Sequence, residues 1–500
     1  MKETYQEKNF KEALGFPGFT EVTFSYQKNL LLINGHLKTI FKDRADSGNC
    51  LNAYFQSSEY RKACHNGKNI GDIKLLKTDD IEQMLHEEEQ YSALIEDLTK
   101  CRQKFLAASG EERNKCICEL ASILGILPEK EKKTLFSWII QREGITIQEQ
   151  EQLNRKIVEY AGPFGIAADR LARLFIPGLL LTFPSVGSVM TQQRGKYYYR
   201  GENALYKSSK ASLFRNKNTL PDELKIILVK LRFDECGFFL DQFDVVKNWG
   251  YGAVNYMALM QHYGLQTQMI DITGDLKTAL FFACCRFGKD RKWHPLQKEE
   301  IERADSRKNI ANLVDSRYGI LYRTPVEITD IKWAMADENA GFQIITPVGY
   351  QPFMRCSTQH SYMMLTDIYG EYDMLCDPLF DIYKIPLDEK FCKWIFERMD
   401  CGNKVYPNDD IPDISLEIEK INSQTIFSGS RFNRVMRDLK MTNIMDNLLK
   451  SLEKHGIAIQ GKLVLIDPEK LEQINSQYTA DIAGKKINLN PQMDPLLIIS

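Results

Sequence analysis

The residues most suited to chemistry begin with a basic stretch from Arg194 to Lys217. It holds seven lysines and arginines against a single acid, Glu202, although the chain as a whole is nearly neutral. Three consecutive tyrosines, Tyr197–Tyr199, predict a strand that ends at Arg200 and Gly201, where glycine allows a turn or the close approach of a ligand. Guanidinium groups interleaved with aromatic rings suit a ligand that carries phosphates and a flat ring. The alternative is a solvated basic surface above a buried strand.

A second cluster, residues 260–285, reads MQHYGLQTQMIDITGDLKTALFFACC. It predicts a helix that ends at Gly264, a short strand QMIDIT, and an apolar helix that begins at Leu276. Asp271 and Thr273 alternate with isoleucines and therefore share one face of the strand. His262 lies just before the glycine. These polar groups either face a pocket or serve the fold, with Asp271, Thr273 or Asp275 as the cap of the next helix and His262 as a core histidine.

A third cluster, residues 349–365, reads GYQPFMRCSTQHSYMML. Its polar members Arg355, Gln359 and His360 lie between aromatic and methionine flanks. Polar groups within apolar segments are costly to bury unless they bond to each other or face a shared pocket. The groups expected to converge on one cleft are Arg200, His262, Asp271, Thr273 and Gln359.

Together the three clusters resemble the FRG domain family, which is named for a Phe/Tyr-Arg-Gly motif. The motif stands here as Tyr199-Arg200-Gly201, and Ser212-Leu213-Phe214-Arg215 follows it. A longer run, Gln-His-x-Gly-x-x-Thr-x-x-x-Asp-x-Thr leading into Ala-Leu-x-Phe-Ala, matches Gln261–Thr273 and Ala279–Ala283. The family's later Arg…Gln-Gln-Gly element departs here and reads Arg355…Gln359-His360-Ser361. The resemblance covers about residues 196–415.

The family's layout is similar to that of ADP-ribosyltransferases, which implies an α+β fold with a split mixed β-sheet and packed helices. Those enzymes carry an arginine or histidine on a first strand, matched by Arg200, and a Ser/Thr-bearing strand, matched by Asp271-Ile272-Thr273. Their late-strand glutamate meets the positive charge that develops on the ribose. Gln359 falls near that position without a charge. Either Glu202 or Asp271 replaces the glutamate, or transferase activity is absent.

The resemblance implies a bacterial, cytoplasmic protein that processes a nucleotide such as NAD in a toxin-like or antiphage role. NAD is the implied substrate, a protein or nucleic acid is the acceptor of any transfer, and no metal is implied. The alternative is a non-catalytic module that senses a nucleotide or nucleic acid. The implied catalytic residues are Arg200, Glu202, His262, Asp271 and Gln359. The implied ligand-binding residues are Tyr198, Arg200, Gly201, Arg215, Tyr263, Thr267 and Thr273, with Arg200 on a phosphate and Tyr198 or Tyr263 against a ring.

The composition excludes several other classes of protein. The chain has 500 residues with 65 Lys and Arg against 67 Asp and Glu, which excludes a wholly basic nucleic-acid coat and an acidic disordered chain. The N-terminus lacks an apolar run of signal length, and prolines and glycines interrupt the apolar stretch Leu174–Met190, so we expect neither export nor a membrane span. Twelve cysteines without a CxxC pair predict reduced thiols, no structural disulfide and no zinc. The absence of recognisable zinc-finger, basic-zipper or helix-turn-helix motifs disfavours sequence-specific DNA binding.

The elements that position these clusters suggest four regions. Residues 1–77 are mixed, with a β-hairpin predicted at Asn34-Gly35. Residues 78–194 are mainly helical, with helices predicted at 78–105, 111–124, 129–141 and 146–160, as a scaffold or as a bundle that binds a protein partner. Residues 195–420 hold the FRG-like domain. Residues 421–500 predict a small α/β region, with a helix at 434–452 and a strand pair at 457–466.

Overall fold

The structure is a computed structural model, and it describes fourteen stretches of the chain. These are residues 73–107, 112, 180–183, 187–190, 192, 195–215, 220–302, 313–326, 345–366, 370, 372–377, 380–407, 414–460 and 466–486. The predicted hairpin at Asn34-Gly35 lies outside the described residues. The helices predicted within 111–160 also lie outside them, except for the single residue 112.

The described residues form an α+β fold, as the sequence predicts. The strands, in chain order, are β1 Lys74–Leu75, β2 Leu180–Phe183, β3 Gly187–Met190, β4 Tyr197–Glu202, β5 Leu205–Tyr206, β6 Met269–Thr273, β7 Cys285–Phe287, β8 Trp293–Pro295, β9 Leu313–Asp315, β10 Tyr318–Pro325, β11 Ile345–Pro347, β12 Ser361–Leu365, β13 Asp381–Pro386, β14 Ile426–Phe427 and β15 Ala458–Ile459. The α-helices are α1 Thr78–Ala107, α2 Ser212–Arg215, α3 Asp222–Leu240, α4 Asp244–Lys247, α5 Tyr256–His262, α6 Leu276–Cys284, α7 Lys298–Glu302, α8 Met354–Thr358, α9 Glu389–Arg398, α10 Ile414–Ser423, α11 Gly429–Asp438, α12 Met445–Lys454, α13 Pro468–Gln477 and α14 Ala480–Lys486. Short 3₁₀ turns lie at Met374–Cys376, Asp400–Gly402 and Thr442–Ile444.

Seven strands build one mixed sheet in the order β1-β13-β10-β4-β6-β12-β11. Neighbouring strands are antiparallel, except that β1 runs parallel to β13. The two middle strands, β4 and β6, share only the residue pair Tyr199–Thr273. The sheet therefore consists of two halves that are joined at one point and part beyond it.

Helix α6 packs tightly against β4 because the strand offers a glycine at the closest point. A Cβ atom added to Gly201 would lie 1.8 Å from the carbonyl oxygen of Ala279. The helix begins at an aspartate cap, since the Asp275 carboxylate accepts hydrogen bonds from the Thr278 N–H at 2.8 Å and the Thr278 hydroxyl at 2.7 Å. Of the residues predicted to cap this helix, Asp275 does so.

Among the described residues, helices pack against the sheet and against each other to form three hydrophobic cores. One core joins α6 and α9 to the beginning of α1, where Leu76, Ile81 and Leu85 are buried. A second lies between α3, α5, α8 and the C-terminal helices α10, α13 and α14. A third packs the other side of α3 against α11 and α12. The start of α1 and the C-terminal helices thus share cores with the elements of the middle region.

The C-terminal region differs from the sequence prediction in its helix and in part of its strand pair. The single helix predicted at 434–452 is wrong: Lys440 has φ 55°, and a 3₁₀ turn at Thr442–Ile444 separates α11 from α12. Left-handed backbone cannot continue an α-helix, and threonine and asparagine are weak helix formers. Of the strand pair predicted at 457–466, β15 is present and pairs in parallel with β14, whereas residues 461–465 are outside the described part. No helix among the described residues is both long enough and apolar enough to cross a bilayer.

Candidate functional site

A cleft with a volume of about 880 Å³ opens where β4 and β6 part. Its lining includes eight of the eleven residues implied as catalytic or ligand-binding, and it includes all five that were expected to converge. These eight are Arg200, Gly201, Glu202, Arg215, His262, Asp271, Thr273 and Gln359. The three that do not line it are Tyr198, Tyr263 and Thr267. What each side chain bonds to decides what it can do for a ligand.

Arg200 spans the gap between the two halves of the sheet. If the ladder continued past Tyr199–Thr273, Gly201 would face Asp271. Instead, the Asp271 carbonyl oxygen accepts a hydrogen bond from Arg200 Nη1 at 2.8 Å. The guanidinium also donates from Nε and Nη2 to Glu202 Oε1, at 3.4 and 3.3 Å. Its partners are therefore a backbone carbonyl and Glu202, and not the Asp271 carboxylate.

Glu202 is saturated by groups of the protein itself. Besides Arg200, it accepts hydrogen bonds from the Ser209 hydroxyl at 2.7 Å and from the Tyr322 hydroxyl at 3.1 Å. Only 9% of the residue is exposed. A carboxylate with this many partners is a structural anchor, because a ligand would have to displace one of them.

Asp271 presents the accessible carboxylate of the cleft. Its side chain is 47% exposed, compared with 8% for Glu202. The Gln261 amide nitrogen donates to Asp271 Oδ1, and the Thr267 hydroxyl donates in turn to the Gln261 amide oxygen. Thr267 thus belongs to the site through Gln261, although it does not line the cleft.

His262 is buried next to this carboxylate and is uncharged. Burial lowers the pKa of its imidazole below the ordinary 6.5, against the opposing influences of Asp271 and of a hydrogen bond with Gln359. Its Nε2 lies 3.9 Å from Asp271 Oδ1 and has no hydrogen-bond partner among the described residues. A neutral imidazole does not form an ion pair, so His262 does not occupy the Asp271 carboxylate as a counter-ion.

Thr273 and Gln359 hold neighbouring elements together. The Thr273 hydroxyl donates to the Gln359 carbonyl oxygen at 2.6 Å, and the Asp275 N–H donates to the Thr273 hydroxyl at 3.0 Å. The Gln359 amide donates to the Val405 carbonyl oxygen at 2.9 Å. Both side chains border the cleft, yet these groups are engaged by the protein.

The ring-binding tyrosines implied by the resemblance lie elsewhere. Tyr198 is 1% exposed and packs on Tyr362 with ring centroids 4.6 Å apart. Successive residues of a strand point to opposite faces, so Tyr198 shares a face with Arg200 and Glu202. Its packing against Tyr362, and not its direction, separates it from the cleft. Tyr263 is 3% exposed, and its ring lies 4.2 Å from the Arg355 guanidinium. Neither tyrosine can stack on a ligand in this cleft.

A different set of rings, the aromatic wall, lines the cleft and was missed by the sequence reasoning. Its members are Phe282, Phe287, Trp293 and Tyr406. Trp293 is central, with ring centroids 5.2 Å from Tyr406 and 5.5 Å from both phenylalanines. Phe287 is 45% exposed. The turn-forming residues 288–292 between Phe287 and Trp293 were a signal for the β7–β8 hairpin that carries these rings.

Two more of the implied ligand-binding residues line the cleft, Arg215 and Gly201. Arg215, at the end of α2, is exposed. Its Nε donates to the Lys210 carbonyl oxygen at 2.9 Å. This hydrogen bond does not use the two terminal nitrogens of the guanidinium, so they remain available to a ligand. Gly201 serves the packing of α6 described above rather than a ligand. Arg215, and not Arg200, is therefore the guanidinium best placed to meet a phosphate.

The described residues provide no metal centre. No group of three or more His, Cys, Asp or Glu side chains in the described ranges is placed to hold a metal ion. The seven cysteines whose side chains are described form no disulfide with one another, and burial raises the pKa of Cys236 and Cys285. The expectation of no zinc and no disulfide stays a prediction, since the other cysteines lack described side chains.

Comparison with known proteins bears on residues 195–292, which match the family model of the FRG domain. The match contains β4, the Gln261–Asp271 segment and α6, whereas the third cluster lies beyond it. A search of curated proteins found no significant match, nor did a search of solved structures. The likeness to ADP-ribosyltransferases therefore stays a prediction from the sequence. The β4–β6 junction lies within the stretch that matches the FRG domain, whereas Gln359, Ser361 and Tyr406 of the cleft lie beyond that stretch.

Proposed function

We propose that the cleft binds a nucleotide of the NAD type and that Asp271 assists cleavage of its N-glycosidic bond. The observation that carries the proposal is the half-exposed Asp271 carboxylate beside the buried, uncharged His262. Of the two acids that line the described cleft, Glu202 is saturated by the protein. Asp271 is therefore the better substitute for the late glutamate whose place Gln359 takes.

The cleft has the size and the surfaces that such a ligand needs. A volume of about 880 Å³ is in the range of small-molecule sites. The aromatic wall offers faces on which a nicotinamide or adenine ring can stack. Arg215 offers a guanidinium for the diphosphate.

The chemistry follows from the charge that develops on the ribose. When the bond from ribose C1′ to the nicotinamide nitrogen breaks, its electron pair goes to the ring nitrogen and positive charge develops at C1′. A carboxylate in a partly closed cleft stabilises that charge. The oxygen of water, or of an acceptor on a protein or nucleic acid, then bonds to C1′. Its proton passes to Asp271 and from there to solvent.

A non-catalytic role has an observation of its own. The Gln359 amide is uncharged and bonds to the Val405 backbone, so it cannot replace a late glutamate. A module that binds a nucleotide without cleaving it would fit that arrangement. A protein that consumes NAD would act as a toxin or in antiphage defence within the bacterial cytoplasm, whereas a sensing module would signal to a partner.

Incubation with NAD labelled in the nicotinamide and in the adenylate tests both candidates. We expect the wild type to release nicotinamide and Asp271→Asn to lose roughly 100-fold or more in rate with an unchanged melting temperature. Asp244→Asn is the matched control and should keep full activity, because Asp244 has a similarly exposed side chain, 48%, and does not line the cleft. Calorimetric binding without release would favour the sensing module. Full activity in Asp271→Asn would refute its role.

A further inference from the structure

The carboxylate of Asp271 is held by a chain of hydrogen bonds that begins at the backbone of its own strand. The Met269 N–H donates to the Thr267 hydroxyl oxygen at 3.1 Å. The Thr267 hydroxyl hydrogen goes to the amide oxygen of Gln261. The amide nitrogen of Gln261 then donates to Asp271 Oδ1. The two middle groups, the Thr267 hydroxyl and the Gln261 amide, each accept one hydrogen bond and donate the next.

The direction of this chain is fixed by its first link. A backbone N–H can only donate, so it occupies a lone pair of the Thr267 oxygen and the hydroxyl hydrogen remains for Gln261. Thr267 is 3% exposed, so water does not compete for that hydrogen. Its backbone is fixed to α2, where the Ser212 hydroxyl accepts from the Thr267 N–H at 3.1 Å. With its oxygen facing Thr267, the Gln261 amide presents its nitrogen to Asp271.

The chain fixes one oxygen of the carboxylate and leaves the other to the cleft. Gln261 and the nearby His262 both lie on the side of Oδ1. Among the described residues, no hydrogen bond to Oδ2 is present, and the side chain is 47% exposed. The carboxylate can therefore present Oδ2 to a ligand without rotating away from its support.

We propose that Gln261 and Thr267 are positioning residues for the Asp271 carboxylate. This inference rests on the proposed NAD cleavage and adds two residues to it. Thr267 acts only through Gln261, because it does not line the cleft. Fixed geometry matters because a displacement of about 1 Å at a reacting centre costs on the order of 100-fold in rate.

The test compares variants of Thr267 in the full chain with NAD as the probe. Thr267→Val keeps the shape of the side chain and removes the hydroxyl; we expect kcat for nicotinamide release to fall roughly 10- to 100-fold with little change in KM. Thr267→Ser keeps the hydroxyl and should restore kcat. The matched control is Thr366→Val, which removes a buried hydroxyl that donates to the Gln268 carbonyl oxygen at 2.5 Å outside the cleft. Gln261→Met carries the test if Thr267→Val fails to fold.

Four outcomes bear on the inference. A loss of kcat in Thr267→Val that Thr267→Ser reverses and Thr366→Val does not share supports it. Wild-type kcat in Thr267→Val or in Gln261→Met overturns it and leaves the proposed function intact. Equal losses in Thr267→Val and Thr366→Val that follow their melting temperatures overturn it in favour of a structural role. A wild type that releases no nicotinamide overturns the proposed function, and this inference falls with it.

Discussion

The attachment of α1 to the sheet contains a carboxyl group whose charge the fold disfavours. Glu88 lies against β4, where its Oε1 accepts a hydrogen bond from the Tyr199 hydroxyl at 2.8 Å. Burial raises the pKa of Glu88 from 4.5 to about 7, with a smaller contribution in the same direction from Asp275 and an opposing one from the hydrogen bond. Because the pKa is higher in the folded state, the stability linked to Glu88 is complete below 4.5 and is lost as the pH rises through about 7.

The size of the effect follows from the pKa values. A rise of this extent corresponds to about 3 kcal/mol between the two protonation states, as an upper estimate. Glu88→Gln keeps an oxygen for the Tyr199 hydroxyl and removes the charge. We expect α1 to open about as often in the variant as in the wild type near pH 5, and less often in the variant near pH 8. Amide hydrogen exchange in α1 should then be slower by up to about 100-fold near pH 8.

Hydrogen exchange resolved by mass spectrometry is the suitable assay, because it measures the opening of α1 and not the unfolding of the whole chain. Glu82→Gln, on the exposed side of the same helix, is the matched control and should show no pH-dependent difference from the wild type. The reasoning would be refuted by equal exchange of the wild type and Glu88→Gln near pH 8. A gain of the same size near pH 5 would also refute it, since the charge would then not be its cause.

Two further predictions concern the core of the domain. Gly201→Ala should destabilise the protein by about 3 kcal/mol, the upper end of the usual cost of overpacking, because its Cβ would meet a helix carbonyl. Gly237 lies inside α3, and a Cβ atom added there would be 3.6 Å from the Met260 side chain, which is an ordinary van der Waals contact. Gly237→Ala should therefore be neutral or stabilise the protein by up to about 1 kcal/mol. Melting temperatures of the two variants test both expectations. The stability linked to neutral His262 should be complete above pH 6.5 and decline as the pH falls towards its lowered folded-state pKa. His262→Gln should lose that decline in thermal unfolding measured between about pH 5 and about pH 7.5, and an unchanged acid dependence would contradict the prediction.

Local patterns in the sequence were sufficient to predict the elements around the cleft. The alternation in QMIDIT and the apolar run after Asp275 gave β6 and α6 nearly to the residue, because both signals come from neighbouring positions. The break between α11 and α12 was missed because an apolar period can continue across a turn that Lys440 makes with left-handed backbone.

The roles of the site residues were harder to predict than their convergence. The sequence shows that Arg200 is charged, but it does not show that its partner is a backbone carbonyl on another strand. The aromatic wall was missed for a similar reason. Trp293 and Tyr406 lie 113 positions apart in the chain, and only the tertiary fold places their ring centroids 5.2 Å apart. Tyr198 looked suited to stacking, yet Tyr362 packs on its ring and buries it.

The bonding of Tyr199, Arg200 and Gly201 changes how the triplet that names the domain can be used to classify proteins. Tyr199 ties the strand to α1, Arg200 spans the junction of the sheet, and Gly201 admits α6. These are contacts within the fold, so the triplet reports the architecture and does not by itself indicate a ligand. Under the proposed function, Gln261 and Asp271 are the residues of this chain that report on activity, because their hydrogen bond lies at the cleft.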